Sequence, residues 1–135
     1  MLKYLSLVLL LLTHLSVYAN LAVIVHPSQS LELGQDEVSR LFMGRAGEIA
    51  GVPLVPLNLA DAHPLKGQFD EVVLGRSSSQ IKAYWSRLVF TGKGTPPKEV
   101  SSESEVMALV ANNPNIIGYV ALDKVDDSVR VAATF

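Results

Sequence analysis

Apolar positions along this chain fall into short clusters whose period alternates between that of a strand and that of a helix. Leu21-Ala22-Val23-Ile24-Val25 is an unbroken apolar run of strand length, closed by His26-Pro27. Such a run predicts a strand covered on both faces, as in a parallel or mixed sheet. The period then changes: Val38, Leu41 and Phe42 recur at helical spacing within Gln35 to Met43, with Asp36 and Glu37 in the first turn and Gly44 placed to end the helix. Gly47 to Gly51 reads as a flexible stretch leading to a strand over Val52 to Leu57, whose Pro53 and Pro56 predict an edge or irregular strand.

The second half repeats the alternation. Pro64 opens a helix carrying Leu65, Phe69, Val72 and Val73, with Gly75 after it. Ser77-Ser78-Ser79 supplies N-cap candidates for a third helix with Ile81, Trp85, Leu88 and Val89 on one face. Gly92 to Pro97 is a predicted loop. Ser102-Glu103-Ser104-Glu105 has the capping-box pattern and opens a fourth helix with Val106, Leu109 and Val110. Asn113-Pro114-Asn115 is a turn, Ile116 to Leu122 a strand, and Val129 to Ala133 another. Strands alternating with helices predict an α/β sandwich built on one sheet.

The first cluster of all has a different character. Met1-Leu2-Lys3 is a short positive start, Leu5 to Leu12 is apolar apart from Ser6, and Val17-Tyr18-Ala19 offers a small residue at the end. That layout predicts a secretory signal peptide over 1–19, cut near Ala19, with a domain over 20–135. The alternative, an N-terminal membrane anchor, suffers from an apolar stretch well short of the ~20 residues that a span needs. A soluble product, periplasmic or secreted, is therefore expected, with the periplasm as the first expectation. The 135-residue chain has 11 basic and 13 acidic residues, for a formal charge of −2 and a pI near 5.9. Losing Lys3 with the leader makes the charge one unit more negative. That balance does not support nucleic-acid binding. Cysteine is absent, so an exported domain would hold together by packing without disulfides.

Three stretches in order carry a family resemblance: Leu41-Phe42-Met43-Gly44 after a strand-Pro-Ser beginning; Phe69 to Leu74 in a helix after an apolar strand, followed by Tyr84-Trp85; and Asn113-Pro114-Asn115-Ile116-Ile117-Gly118-Tyr119-Val120 as a return strand. The series resembles the phosphate-type substrate-binding proteins of ABC transporters, within the type 2 periplasmic binding protein superfamily, and most of all a small single-lobe branch. The resemblance implies one α/β lobe with a mixed β-sheet and helices on both faces. It also implies a non-catalytic role, with phosphate or another small oxyanion as ligand and a membrane permease as possible partner. The departures are specific. Where the phosphate binders follow the strand over Leu54 to Asn58 with an arginine and a Ser-Gly-Thr turn, this chain reads Asn58-Leu59-Ala60-Asp61-Ala62-His63-Pro64. The arginine's place is taken by Asn58, and Asp61 would repel an anion.

A ligand is expected at the carboxyl ends of the strands, with His26, Ser28, Ser30, Asn58 and His63 as candidates. Helix starts attract oxyanions through free N–H groups and the helix dipole, and at each start the serine either binds a ligand or merely caps its helix. A second candidate is the basic segment Arg76, Lys82, Arg87, Lys93 and Lys98, interleaved with Tyr84, Trp85 and Phe90. It is either an anion or partner surface or an ordinary solvated helix face with Trp85 in the core. No zinc-protease pattern, nucleophile elbow or phosphate loop is present, so catalysis, metal and cofactor are not expected. The rival to solute binding is a cell-envelope interaction or assembly protein that kept one lobe and lost its ligand. In that reading the open lobe face is free for an envelope protein or for self-association as a homo-oligomer.

Overall fold

The structure, a computed structural model, describes residues 18–135; most of the expected leader lies outside them. Among the described residues, seven strands and four α-helices run in the order β1 (Leu21–Val25), α1 (Gln35–Phe42), β2 (Glu48–Ile49), β3 (Val52–Pro53), β4 (Val55–Leu59), α2 (Pro64–Val72), α3 (Ser78–Phe90), β5 (Lys98–Val100), α4 (Glu103–Asn112), β6 (Ile116–Ala121) and β7 (Arg130–Thr134), with a 3-10 turn over Leu122–Lys124 between the last two. Five strands form one sheet in the order β5-β4-β6-β1-β7. β4 pairs parallel to both β5 and β6, whereas β1 runs antiparallel to β6 and to β7. The sheet is mixed, and every residue of β1 is fully buried, as its unbroken apolar run predicts.

Strand β6 shows why helices cover both faces. Its successive side chains point to opposite sides. Tyr119 faces α1 and α2, where its ring stacks on Phe69 with centroids 3.9 Å apart and meets Phe42 edge-on at 5.8 Å. Gly118 faces α4. A Cβ there would come within 2.5 Å of Val106 Cγ1, so the glycine lets the helix lie close against the sheet. Aromatic contacts of this kind each contribute ~0.5–1.5 kcal/mol beyond burial. A smaller cluster of Met43, Ile81 and Trp85 fixes α3 against the end of α1. There Gly44, at φ +71°, lies so near the Trp85 ring that a Cβ would clash at 2.7 Å.

Three features correct the expectations. The strand placed over Val52 to Leu57 splits into β3 and the longer β4, and β4 is interior, flanked by β5 and β6. Pro56 fits there for a local reason. The Val55 N–H donates towards β6, to Asn115 O, at 2.7 Å. The missing N–H of Pro56 therefore faces the other side, where pairing with β5 begins only at Leu57. The stretch over Gly47 to Gly51 is a hairpin, with Ala50 and Gly51 both left-handed as its two central residues. Finally β5, three residues long with two of them charged, follows directly on the predicted loop.

Candidate functional site

Because β4, β5 and β6 are parallel and β1 opposes them, the two ends of the sheet carry different candidates. His26, Ser28 and Ser30 follow β1 and lie at the end where β4 and β6 begin. Gln29 from the same loop donates to Pro114 O at 2.8 Å. Asn58 and His63 lie at the far end, where β4 finishes. The expected grouping of His26, Ser28 and Ser30 with Asn58 is therefore not formed. The first two make a local turn instead: His26 Nδ1 is 2.7 Å from Ser28 Oγ and accepts the Ser28 N–H at 3.1 Å. The helix that follows is capped by Gly34, whose N–H donates to Glu37, and exposed Ser30 takes no part.

The other helix starts are occupied by their own caps. His63 Nδ1 accepts the Leu65 N–H at 3.1 Å, and its Nε2 lies 3.9 Å from Glu103 Oε1. Ser77 and Gln80 form a reciprocal box, and Ser102 Oγ accepts the Glu105 N–H at 3.1 Å. A cleft of about 600 Å³ between the starts of α2 and α4 is lined by His63, Ser101 and Ser102, but also by Glu103 and Asp126. Of the basic segment, Lys82 alone lines the cavity at the end of β4. Arg76, Arg87 and Lys93 are exposed, and Arg87 sits about 200° round the helix from Trp85. Lys98 lines a separate cavity of about 330 Å³. Lys82 alone turns to the end of β4, 3.9 Å from Asp61.

At that end a cavity of about 490 Å³ opens between α3 and strands β4 and β5. Ile81, Trp85, Val89 and Phe90 from α3 and Pro96-Pro97 ahead of β5 make its apolar walls. Its polar end holds two side chains that are almost wholly buried, Asn58 at 7% exposure and Lys66 at 5%. Lys66 Nζ pairs with Asp70 at 3.0 Å and Asp61 at 3.5 Å, and the Ser78 hydroxyl donates to Asp70 at 2.8 Å. Glu99 closes the rim.

The orientation of Asn58 is fixed by chemistry. Its Oδ1 receives the Leu59 N–H at 3.0 Å and the Tyr119 hydroxyl. A backbone N–H can only donate, so the atom facing it is the oxygen, and the two N–H donors of Nδ2 point elsewhere. Among the described residues Nδ2 donates to nothing. Burial, followed by the nearby Asp70, Glu99 and Asp61 carboxylates, pushes the Tyr119 phenol far up, so the hydroxyl stays a donor wherever the fold persists.

Of the sequence candidates, Asn58 and Lys82 line this cavity, together with Asp61, expected only as a charge that would repel an anion; Lys66 is not among those candidates. In sequence it looks like half of an ordinary i,i+4 surface pair with Asp70. Its spacing of three and seven residues from Phe69 and Val73 was the available signal that it shares the buried stripe. Among the described residues no cluster of histidine and carboxylate side chains could hold a metal ion, and no helix is long and apolar enough to cross a membrane.

The fold has solved counterparts. A phosphate ABC transporter substrate-binding protein from Clostridium perfringens, with bound phosphate, superposes with a TM-score of 0.67 at 21% identity, over 84% of this chain and 44% of that one. An ABC-type phosphate transport receptor from Vibrio cholerae gives 0.65 at 17% identity, over 84% and 46%. PstS from Borrelia burgdorferi gives 0.57 at 14%, over 79% and 43%. The chain has the fold of a periplasmic-binding-protein lobe. It spans less than half the length of these structures. No family model matches the sequence, and no curated protein matches it.

Proposed function

We propose that this chain is an exported, non-catalytic binding module. A leader over 1–19 is removed near Ala19, and the domain over 20–135 binds a small ligand in the periplasm at the carboxyl end of β4. The observation that carries the reading is the cavity at that end, where Asn58 and Lys66, both buried, meet an apolar wall. Buried polar groups converging on an apolar hollow are the usual make-up of a small-molecule site. The lobe fold and its phosphate-receptor counterparts support binding over catalysis, and make phosphate or another small oxyanion the first ligand to test. Calorimetric titration of the purified protein with phosphate, sulfate and uncharged solutes tests the reading. Heat and a raised melting temperature with any member of the panel support it, and silence across the panel rejects it.

A second reading rests on a separate observation. Phe90 is 93% exposed and Val89 54% exposed on the rim of the same cavity, a costly arrangement for an unpartnered surface. In that reading the open face docks an envelope protein, a permease or a second copy of the chain. Light scattering across a concentration series separates the two, since self-association through this face is lost in Phe90→Ser while solute binding by a monomer leaves the mass unchanged.

A further inference from the structure

We infer that the cavity beside Trp85 selects an uncharged, amphipathic ligand with a carboxamide head and an apolar body, in preference to a free oxyanion. The inference rests on the reading of this chain as a binding module and narrows its ligand.

Three observations converge. Asn58 lines the cavity and is more than nine-tenths buried, its oxygen is engaged by Tyr119 and the Leu59 N–H, and its Nδ2 has no acceptor among the described residues. Among the described residues the one sealed side-chain atom without a partner is Asp70 Oδ1, so Asn58 Nδ2 is open to the water of the cavity, and a head group that offers an oxygen acceptor can take that water's place. The surrounding charges argue against that oxygen being anionic. Asp61 and Glu99 line the cavity and Asp70 lies beneath Lys66, giving three carboxylates against the two ammonium groups of Lys66 and Lys82. Lys66 is already shared between Asp70 and Asp61. An added anion would meet net repulsion at close range.

A carboxamide satisfies both demands. Its carbonyl oxygen accepts from Asn58 Nδ2, and its N–H groups donate to the Asp61 or Glu99 carboxylates. The remaining volume is apolar, bounded by Ile81, Trp85, Val89, Phe90 and Pro97. A cavity of about 490 Å³ has room for a ring and a short linker.

The test uses probes with one body and different heads: hydrocinnamamide, hydrocinnamate and phenylpropylamine, with inorganic phosphate beside them. Trp85 is the only tryptophan, so selectively excited fluorescence reports directly on the cavity wall. The Asn58 side-chain amide signals in a nitrogen–proton spectrum report on the head. Hydrocinnamamide is expected to move both reporters and to bind at least about tenfold tighter than the acid or the amine, the scale of one buried hydrogen bond lost or one charge misplaced. Asn58→Asp keeps the oxygen that serves Tyr119 and Leu59 but removes the donors, and is expected to weaken hydrocinnamamide by at least about tenfold. Should that variant fail to fold, Phe90→Ser, at an exposed position, is expected to weaken every aromatic probe while leaving the melting temperature in place. Phosphate binding with no response to the amide overturns the inference and leaves the proposed function standing. Equal affinity for the three heads, or an unmoved Asn58 signal, also overturns it. Silence to every probe and to phosphate rejects both readings together.

Discussion

The Tyr119 hydroxyl donates to Asn58 Oδ1 across two neighbouring parallel strands, and that bond turns the Asn58 amide towards the cavity. The tyrosine thus acts on the site through Asn58 without reaching the cavity surface. Tyr119→Phe keeps the stacked ring and removes only the oxygen. It is expected to cost about 1–2 kcal/mol in urea unfolding and to weaken ligand binding at the cavity. A variant that loses stability yet binds as well as wild type would show that Leu59 N–H orients Asn58 by itself.

The closeness of α4 to the sheet depends on Gly118. Gly118→Ala places a methyl group 2.5 Å from Val106 Cγ1, and overpacking of that kind costs about 1–3 kcal/mol. Val106→Ala in the same chain is expected to return part of the loss. A double-mutant cycle on unfolding free energies measures the coupling, and strictly additive values would contradict the contact.

Two ion pairs at helical spacing are expected to differ sharply. Lys66 and Asp70 are buried, so Lys66→Met strands a carboxylate in the interior at a cost of about 3–5 kcal/mol. Arg40 and Asp36 are exposed, and Arg40→Ala is expected to stay within about 1 kcal/mol of wild type. Chemical denaturation of both variants, with Lys66→Met/Asp70→Leu as the compensated control, checks the contrast.

Acid should expose a small local effect at the turn before β7. The Ser128 hydroxyl and N–H both donate to Asp126 Oδ1 and hold its carboxyl below the ordinary aspartate value of 3.8. A depressed acid stabilises the fold above its unfolded value, and that contribution is lost as pH falls through the folded value. Ser128→Ala is therefore expected to melt slightly below wild type at neutral pH, with the gap closing in strong acid. A gap that widened on acidification would reverse the assignment.

The sequence was most readable where a local signal decides local structure. The run Leu21–Val25, the Ser77 and Ser102 caps and the Pro64 helix start each sit where their residues place them. The box expected at Ser102 is only half formed, since the Glu105 carboxylate accepts the Ser101 N–H instead, and the full box stands at Ser77. β5 escaped because Lys98 and Glu99 carry no apolar period; the strand exists because β4 offers it a partner. The direction of β1 escaped for a related reason. An apolar run shows that a strand is covered but not which way it points, and a reversed β1 carries His26, Ser28 and Ser30 away from Asn58. Lys66 escaped because burial of a charged residue is set by what packs over it, here Asp70 and the start of α3.

The placement of β1 between β6 and β7 also bears on how the protein is made. β1 is wholly apolar, yet both of its neighbours in the sheet lie beyond α4 in the chain. Such distant pairing slows folding and leaves the early segment uncovered during translation. Until β6 and β7 are in place, β1 is an exposed apolar segment of the kind that drives aggregation.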